Sequence, residues 1–376
     1  MNSVAVVPLD IHKRFSKAVE MGEGGEVLGE ARVSHAGRDE MKKYFSRFPA
    51  GTDVVMEATF NWPWIADAAE EAGLRPHLAH PMRAREMAKG MAKSDRKDAI
   101  FLGKLWLAGD IFPESYLAPP EVRRMRGLFR LRLTLVSMRT ALKNAIHGQL
   151  HRQGILISEC SDLFGKSGLA ILEKLPMKEH ERWQLDTKLS VLGDIGLYVK
   201  EMEQKIRREL KTDPRAQLLM SLPGVGEITA YSMLAEIGEI ERFHNSRALA
   251  SYAGLLPLDN ESAEKDFGKR TGAHCNRFLR WAMIEAVTGA VTASGRMKSL
   301  YMRVKNRNKD KPQKARIAVA RELIELSHLL LTRKVKYEEK RPPRPGSKEV
   351  GDGTRPNRAS QSTLCARSPQ ASQAAL

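Results

Sequence analysis

The sequence predicts an α/β domain at the N-terminus followed by a longer, mainly helical part. Up to Ala79, short apolar runs alternate with turn residues, which is typical of buried strands. From Pro119 onwards, apolar residues recur at helical spacing instead. The chain has 376 residues, enough for two or three domains and a sizeable core. We therefore expect a mixed fold, α/β first and helical afterwards.

The N-terminal elements follow a defined order. We predict a turn at residues 22–25, where glycines cluster, and a helix end at Gly73. The predicted order is that of the ribonuclease H-like fold: three strands, a helix, a strand, a helix, a strand and further helices. Strands are predicted at residues 4–9, 15–21, 26–33, 54–56 and 75–79, and helices at 38–48, 62–72 and after Pro81.

Four acidic residues stand at the ends of these elements. Asp10 follows the first strand, Glu57 follows the fourth, and Asp95 and Asp98 are three residues apart, on one face of a helix. Carboxylates are suitable ligands for Mg²⁺, so the pattern predicts a metal nuclease site. The alternative is local: Ser94 caps a helix whose first turn favours acids, and the strand acids are turn or edge charges.

The charge balance predicts a polyanionic partner, with nucleic acid as the natural one. Lys and Arg number 62 against 45 Asp and Glu, a formal net charge of +17. Lys93, Arg96 and Lys97 surround the two helix acids and would suit a phosphate backbone. No apolar run approaches the roughly 20 residues that span a bilayer. The three cysteines are widely separated, which fits neither a disulfide framework nor a zinc site, so we expect a reducing cytoplasm.

A long amphipathic helix is predicted at residues 121–153, with one apolar and one strongly basic face that includes Arg123 and Arg130. A second helix at 183–210 could pair with it as an antiparallel hairpin. We expect the basic face to contact nucleic acid or another protomer. A plain helical linker with a solvated face is the alternative.

The stretch Leu222-Pro223-Gly224-Val225-Gly226 resembles a helix-hairpin-helix turn. Gly224 and Gly226 would let the backbone approach a phosphate. A simple tight connection between helices is the alternative. Further helices are predicted around 248–253, 277–293 and 313–331, and the polar tail at 338–376 is predicted to be disordered.

Six motifs together make the chain similar to the DEDD-type insertion-sequence transposases. This group includes the Piv and MooV proteins and the bridge-RNA-guided recombinases, and the resemblance covers about residues 4–337. The motifs are Leu9-Asp10-Ile11-His12-Lys13, Met56-Glu57-Ala58-Thr59, residues 93–99, residues 222–226, Tyr252-Ala253-Gly254-Leu255-Leu256-Pro257 and Asn276-Arg277-Phe278-Leu279-Arg280.

The resemblance implies a domain arrangement. A RuvC-like DEDD domain would occupy residues 1–118, a helical coiled-coil region 119–212, and a C-terminal transposase domain 213–337, followed by the tail. It further implies that Arg277 and Arg280 contact nucleic acid. Dimers or tetramers, in which the serine of one protomer works beside the acids of another, are also implied.

The resemblance also assigns the chemistry. Asp10, Glu57, Asp95 and Asp98 would bind Mg²⁺, and Ser262 would be the nucleophile. Ser262 lies a few residues after the Ala-Gly-Leu-Leu-Pro segment, where Ala263 stands in place of the usual glycine.

The expected function is transposition, or site-specific recombination of DNA, guided by a structured RNA from the element. Two other classes stay open. A metal-dependent nuclease or Holliday-junction resolvase would use the acids with water as nucleophile. An inactive copy of the element would bind nucleic acid without metal-dependent chemistry.

Overall fold

A computed structural model describes residues 3–90, 94–258, 261–262, 265–266, 270–271, 275–309 and 311–339. Lys93, Ala263 and the predicted tail from residue 340 onwards lie outside the described residues. In the part of the chain that is described, no helix is long and apolar enough to cross a membrane.

The N-terminal domain is built on a six-stranded mixed sheet. Its order is β3-β2-β1-β4-β5-β6, with β1, β4 and β5 parallel and the other neighbours antiparallel. This order is compatible with the predicted fold class of a DEDD nuclease-like domain. The five predicted strands are confirmed to within about two residues, whereas β6 was not predicted. The strands are β1 Val6–Ile11, β2 Phe15–Met21, β3 Val27–Ser34, β4 Asp53–Glu57, β5 Arg75–Ala79 and β6 Glu114–Ser115.

Helices cover both faces of this sheet. Along β1, Val7 and Leu9 face one core, which also contains Phe45 and Ile65 from the helices α1 and α2. Val6 belongs to the opposite core, with residues of α4. This alternation follows from the two-residue period of a strand. The helices are α1 Arg38–Phe45, α2 Trp62–Glu71, α3 Pro81–Met87 and α4 Asp95–Leu107.

The predicted antiparallel helical hairpin is confirmed. It consists of α5 Pro120–Arg152 and α7 Glu179–Thr212, with α6 Lys166–Lys174 at its far end. Arg124 at the start of α5 pairs with Glu209 near the end of α7 (2.8 Å). At the other end of α5, the Gln149 side chain donates to the Glu181 carbonyl (2.9 Å). The start of α5 therefore lies beside the end of α7, and the end of α5 beside the start of α7, so the two helices are antiparallel.

The C-terminal part packs helices around one large core. That core contains Tyr231, Met233, Leu279 and Leu323, all fully buried. α12 was not predicted from the sequence. The elements are α8 Pro214–Met220, α9 Glu227–Ile237, a 3₁₀ turn Ile240–Arg242, α10 Ser246–Tyr252, α11 Arg277–Ala293, α12 Gly295–Arg307 and α13 Gln313–Arg333. Short strands β7 Pro257–Leu258 and β10 Arg270–Thr271 pair with each other, as do β8 Glu261–Ser262 and β9 Lys265–Asp266.

Tyr116 connects the sheet domain to the helical core. The guanidinium groups of Arg126 and Arg242 lie over its ring, 5.5 Å and 4.2 Å from the centroid. Gly238 has a positive φ of 66°, and a Cβ there would lie 2.7 Å from the Tyr116 hydroxyl oxygen. A glycine is therefore required both by the backbone and by the contact.

Candidate metal centre and nucleic-acid contacts

Two acids reach the same face of the sheet from neighbouring strands. Asp10 lies on β1 and Glu57 ends β4, and these strands are parallel and paired. Asp10 alternates in phase with Val6, and Glu57 with Val55; both valines belong to the core under α4. Because side chains two residues apart share a face, both carboxylates point towards α4.

The other two acids stand in the first turn of α4. The Ser94 hydroxyl caps this helix and accepts a hydrogen bond from the Lys97 backbone N–H (3.3 Å). Asp95 and Asp98 follow, where the positive end of the helix dipole favours negative charge. The alternative interpretation of this stretch as a capped helix start is confirmed. The same helix start also places the two acids beside the sheet.

Gly103 lets α4 approach the sheet closely. A Cβ at this position would lie 2.4 Å from the Met21 sulfur and 2.8 Å from Cγ of Pro8. Contacts under 3.0 Å are not tolerated without movement, so a side chain here would push α4 away from β1 and β2. The distance between the strand acids and the helix acids thus depends on this glycine.

Three side chains come within reach of one metal ion. Oxygen atoms of Asp10 and Asp95 and a ring nitrogen of His12 all lie within 4.8 Å of one another. His12 Nε2 is 3.1 Å from Asp10 Oδ2 and 3.0 Å from Asp95 Oδ2. Glu57 and Asp98 fall outside this group. The four predicted acids are therefore neighbours, but the side chains close enough to share one metal ion are those of two aspartates and a histidine.

Sequence reasoning did not assign His12 a role. The available signal was its position two residues after Asp10, which places both side chains on one face of an extended segment. That signal alone does not separate a ligand from an ordinary polar residue at the end of a strand.

The carboxylates repel one another. Burial raises the pKa of Asp10 above its ordinary value; His12 opposes this shift, while the charges of Asp95 and Asp98 add to it. Burial also raises the pKa of Glu57, with further contributions from Asp10 and Asp98 and a partial offset from Arg85. A bound cation would relieve this repulsion.

The donor set fits a divalent cation. Carboxylate oxygens suit hard ions, and a neutral imidazole nitrogen is a common ligand of several divalent metals. Asp95 is about half exposed, with 52% of its side chain accessible, so the group is open on the solvent side. A site of this kind has room for an incoming phosphate.

Three residues predicted to bind nucleic acid have internal partners. Arg96 pairs with Glu30, Arg123 with Asp67, and Arg130 with Glu236. Their contact with nucleic acid stays a prediction, but the structure already explains each charge.

The remaining predicted contacts differ in exposure. Lys97 and Arg277 are exposed and have no ion pair within the described ranges. Arg280 is partly buried.

The turn between α8 and α9 is explained largely by packing. Gly224 has a φ of +77°, and a Cβ there would lie 2.2 Å from the Ala286 carbonyl oxygen and 2.3 Å from the Ala290 nitrogen. Its backbone approaches α11, which favours the alternative of a tight helix connection at this position. A Cβ at Gly226 would meet no atom within 4 Å, so the first turn of α9 is more open there.

Glu236 forms a buried network in the helical core. Its carboxylate is completely buried and accepts hydrogen bonds from Nε and Nη2 of Arg130, each at 2.9 Å. It also accepts one from the Asn276 side-chain amide (2.7 Å). Asn276 caps α11 and donates its backbone N–H to the Tyr252 carbonyl (2.7 Å). The network thus joins the two ends of the segment that contains Ser262. Only the backbone of Ser262, in β8, belongs to the described structure.

Comparisons with known proteins give a consistent result over both halves of the chain. Residues 216–302 match the transposase IS116/IS110/IS902 family, and residues 7–154 match the DEDD transposase domain of IS110 type. The transposase for insertion sequence element IS1111A of Coxiella burnetii is 26% identical over 345 residues, which cover 90% of this chain and 92% of that protein.

Two other relatives show the same range of similarity. The transposase for insertion sequence element IS1328 of Yersinia enterocolitica is 24% identical over 74% of this chain and 83% of its own length. A probable family 20 transposase of Pseudomonas aeruginosa is 24% identical over 68% of this chain and 75% of its own length.

Proposed function

Because this chain belongs to the IS110/IS116/IS902 family of transposases, we propose that it cuts and rejoins the DNA of its insertion sequence by a metal-assisted serine mechanism. The observation that carries the proposal is the convergence of Asp10, His12 and Asp95 between β1 and α4. It supplies a site for a divalent cation within a domain of the DEDD type.

The cation proposed for this site is Mg²⁺, which would polarise a phosphoryl oxygen and stabilise charge on the leaving oxygen. Asp10 and Asp95 would bind it directly, with His12 as an additional ligand. Glu57 and Asp98 would add negative charge around the same point. Lys97, which is exposed next to Asp98, is placed to attract the DNA backbone.

In the proposed reaction, Ser262 attacks a phosphodiester. Its hydroxyl oxygen forms a bond to phosphorus, the bond from phosphorus to one sugar oxygen breaks, and the hydroxyl proton passes to a base while the leaving oxygen gains a proton. The product is a phosphoserine and a free sugar hydroxyl. Because the phosphoserine keeps the cleaved bond in ester form, a sugar hydroxyl from another strand can reverse the step, which gives strand exchange without hydrolysis.

The proposal includes two partners that follow from the resemblance alone. One is a second copy of the chain, whose Ser262 would work beside the acids of the first. The other is a structured RNA that selects the DNA sites. Light scattering of the protein with and without DNA tests the first. A transcript from the DNA that flanks the gene, with segments that match both junctions, tests the second.

Ser262→Ala tests the mechanism. We expect this variant to assemble on DNA but to lose strand exchange. With a divalent metal and a substrate interrupted after the cleavage point, the unmodified protein should form a covalent complex that survives detergent. Peptide mapping should place the adduct on Ser262, with Ser251 and Ser294 as internal controls. Strand exchange at the normal rate by Ser262→Ala would contradict the serine mechanism.

The same variant distinguishes the alternatives. A nuclease or junction resolvase that activates water would retain cleavage after Ser262→Ala and form no covalent complex. An inactive copy would bind DNA and show no metal-dependent cleavage with Ser262 present.

A further inference from the structure

The surface of α12 is an unusually basic part of the chain. Between residues 286 and 309 the sequence has six Lys and Arg residues and no acidic residue. We propose that the solvent-exposed surface of α12, called the α12 face, binds the phosphate backbone of double-stranded DNA. Its cations are Lys298 and Lys305 on one flank and Arg303 and Arg307 on the other.

The packing of α12 separates these cations from the core. Met297 is fully buried, and Leu300 and Tyr301 are partly buried against the large helical core. The four cations of the α12 face are exposed, and none has an ion pair with any described residue. Arg296, on the same helix, is excluded from the face because it pairs with Glu322.

The helix dipole explains only two of the four cations. Positive charge is favourable near the C-terminus of a helix, which accounts for Lys305 and Arg307. Lys298 stands in the first turn, where the positive end of the dipole disfavours it. A cation at that place has an energetic cost within the isolated chain, and a nearby polyanion would offset it.

Several arginines of α5, in contrast to the cations of the α12 face, have acidic partners among the described residues. Arg124 binds Glu121 and Glu209, and Arg132 binds Glu203. The arginines at 123, 126 and 130 also have acidic partners within 4.0 Å. The fold therefore pairs the arginines in the first part of α5 with acids, whereas the four cations of the α12 face have no acidic partner among the described residues.

The residues between the cations favour a duplex backbone over a single strand. Ser299, Met302 and Asn306 are exposed between them, and the α12 face includes no aromatic side chain. Single-strand binding surfaces usually stack bases on aromatic rings.

This inference rests on the proposed function for the identity of the polyanion, since a transposase acts on DNA. It goes beyond that function because it assigns the contact to a helix that contains neither the acids nor Ser262. Backbone contacts of this kind carry no sequence information, so binding should depend on salt and not on base sequence.

The test replaces all four cations of the α12 face by alanine in the full chain. Binding of a short DNA duplex of arbitrary sequence is measured without divalent metal over a range of KCl concentrations. We expect affinity to fall on the order of tenfold to a hundredfold, and the slope of log K against log salt to flatten by about 2 to 4.

The matched control removes the same amount of charge from another helix. It replaces four exposed cations of α7 by alanine, on a helix that also carries many acids: Lys200, Lys205, Arg208 and Lys211. Equal losses in both variants would attribute binding to net charge and overturn the proposal. A larger loss and a flatter slope in the α12 variant alone would support it.

Two further experiments test whether the loss of affinity comes from a contact with the DNA backbone. A variant that exchanges Lys and Arg at all four positions retains the charges and should bind like the unmodified protein; failure to do so would overturn a backbone contact. If the alanine variant lost single-stranded RNA binding but kept duplex DNA binding, the proposal would be wrong. Because the assay needs neither metal nor Ser262, failure of the cleavage mechanism leaves its outcome unchanged.

Discussion

Two regions of the protein surround their acidic residues with opposite charges. In the helical core, Glu236 is completely buried, yet two hydrogen bonds from Arg130 and one from Asn276 satisfy it. At the sheet, Asp10 and Glu57 are less buried. Burial raises the pKa of both carboxyl groups, and the charges of neighbouring carboxylates add to the shift. Burial alone therefore does not distinguish the two groups of acids; the balance of nearby charge does.

The difference has a physical meaning. A buried acid with its own cation contributes to the folded structure, since removal of either partner leaves the other uncompensated. A crowded group of acids destabilises the chain, and a bound cation would offset this cost. The two regions should therefore respond oppositely to the loss of a charge.

The largest effect is expected on activity. Asp98→Asn should lower metal-dependent strand cleavage by at least about a thousandfold, or about 4 kcal/mol in the barrier, because an amide is a poor substitute for an anionic group at a metal site. DNA binding should persist. Single-turnover cleavage measures the effect. Asp39→Asn, in the first turn of α1, is the control and should cleave normally. Undiminished cleavage by Asp98→Asn would remove Asp98 from the site.

Glu236→Gln should destabilise the protein by roughly 3 kcal/mol, since Arg130 and Arg126 lose their anionic partner next to a buried amide. Denaturant unfolding measures this loss. Glu325→Gln, which removes an exposed pair with Arg321, should cost no more than about 0.5 kcal/mol. Similar costs for the two variants would mean that the buried network is not special.

Gly103→Ala tests whether the close packing of α4 on the sheet sets the distances between the strand acids and the helix acids. We expect a loss of about 1–3 kcal/mol, because the new methyl group would overlap Met21 and Pro8. Metal binding, followed by calorimetry, should weaken as well. Gly193→Ala is the control: a Cβ there meets no atom within 4 Å, so a more helix-favouring residue should stabilise α7 slightly. Metal affinity unchanged by Gly103→Ala would show that α4 can shift without effect.

The smallest effect concerns pH. Without metal, Asp10→Asn should increase stability by less than about 1 kcal/mol near neutral pH. The folded protein holds a proton on Asp10 more readily than the unfolded chain, because its pKa is raised from 3.8. The charged form is thus the destabilising one, and the gain should vanish as the pH falls through the raised pKa.

Glu209→Gln should show the opposite sign. A hydrogen bond from Arg124 lowers the pKa of Glu209 from 4.5, so its charged form stabilises the fold. The variant should be less stable near neutral pH, and this loss should disappear as the pH falls below the lowered pKa. Thermal unfolding of the three proteins across the acid range measures both trends. Curves of the same sign would contradict the contrast between the two regions.

Much of the fold could be predicted from local patterns. The strands of the sheet, the helix stop at Gly73 and the cap at Ser94 depend on residues close together in the chain. The pair of long helices followed from apolar spacing. Among the elements that were missed, β6 has only two residues, whereas α12 has 13 residues but follows α11 after Ser294 alone. A break of one residue is too short for periodicity to resolve.

The amino-acid sequence by itself determined that acids stand at the ends of β1 and β4 and in the first turn of α4. It also determined the excess of positive charge. The tertiary structure decided which charges are neutralised. Arg130 and Glu236 are 106 residues apart, and no local pattern links them.

The same reason explains His12 and Gly224. His12 meets Asp95 only because α4 lies across β1, and Gly224 is required only because α11 lies against its turn. Periodicity and caps act over a few residues, so they specify elements and the residues on them. Ion pairs, metal ligands and close backbone contacts form between distant segments, so their partners follow from the packing of those elements.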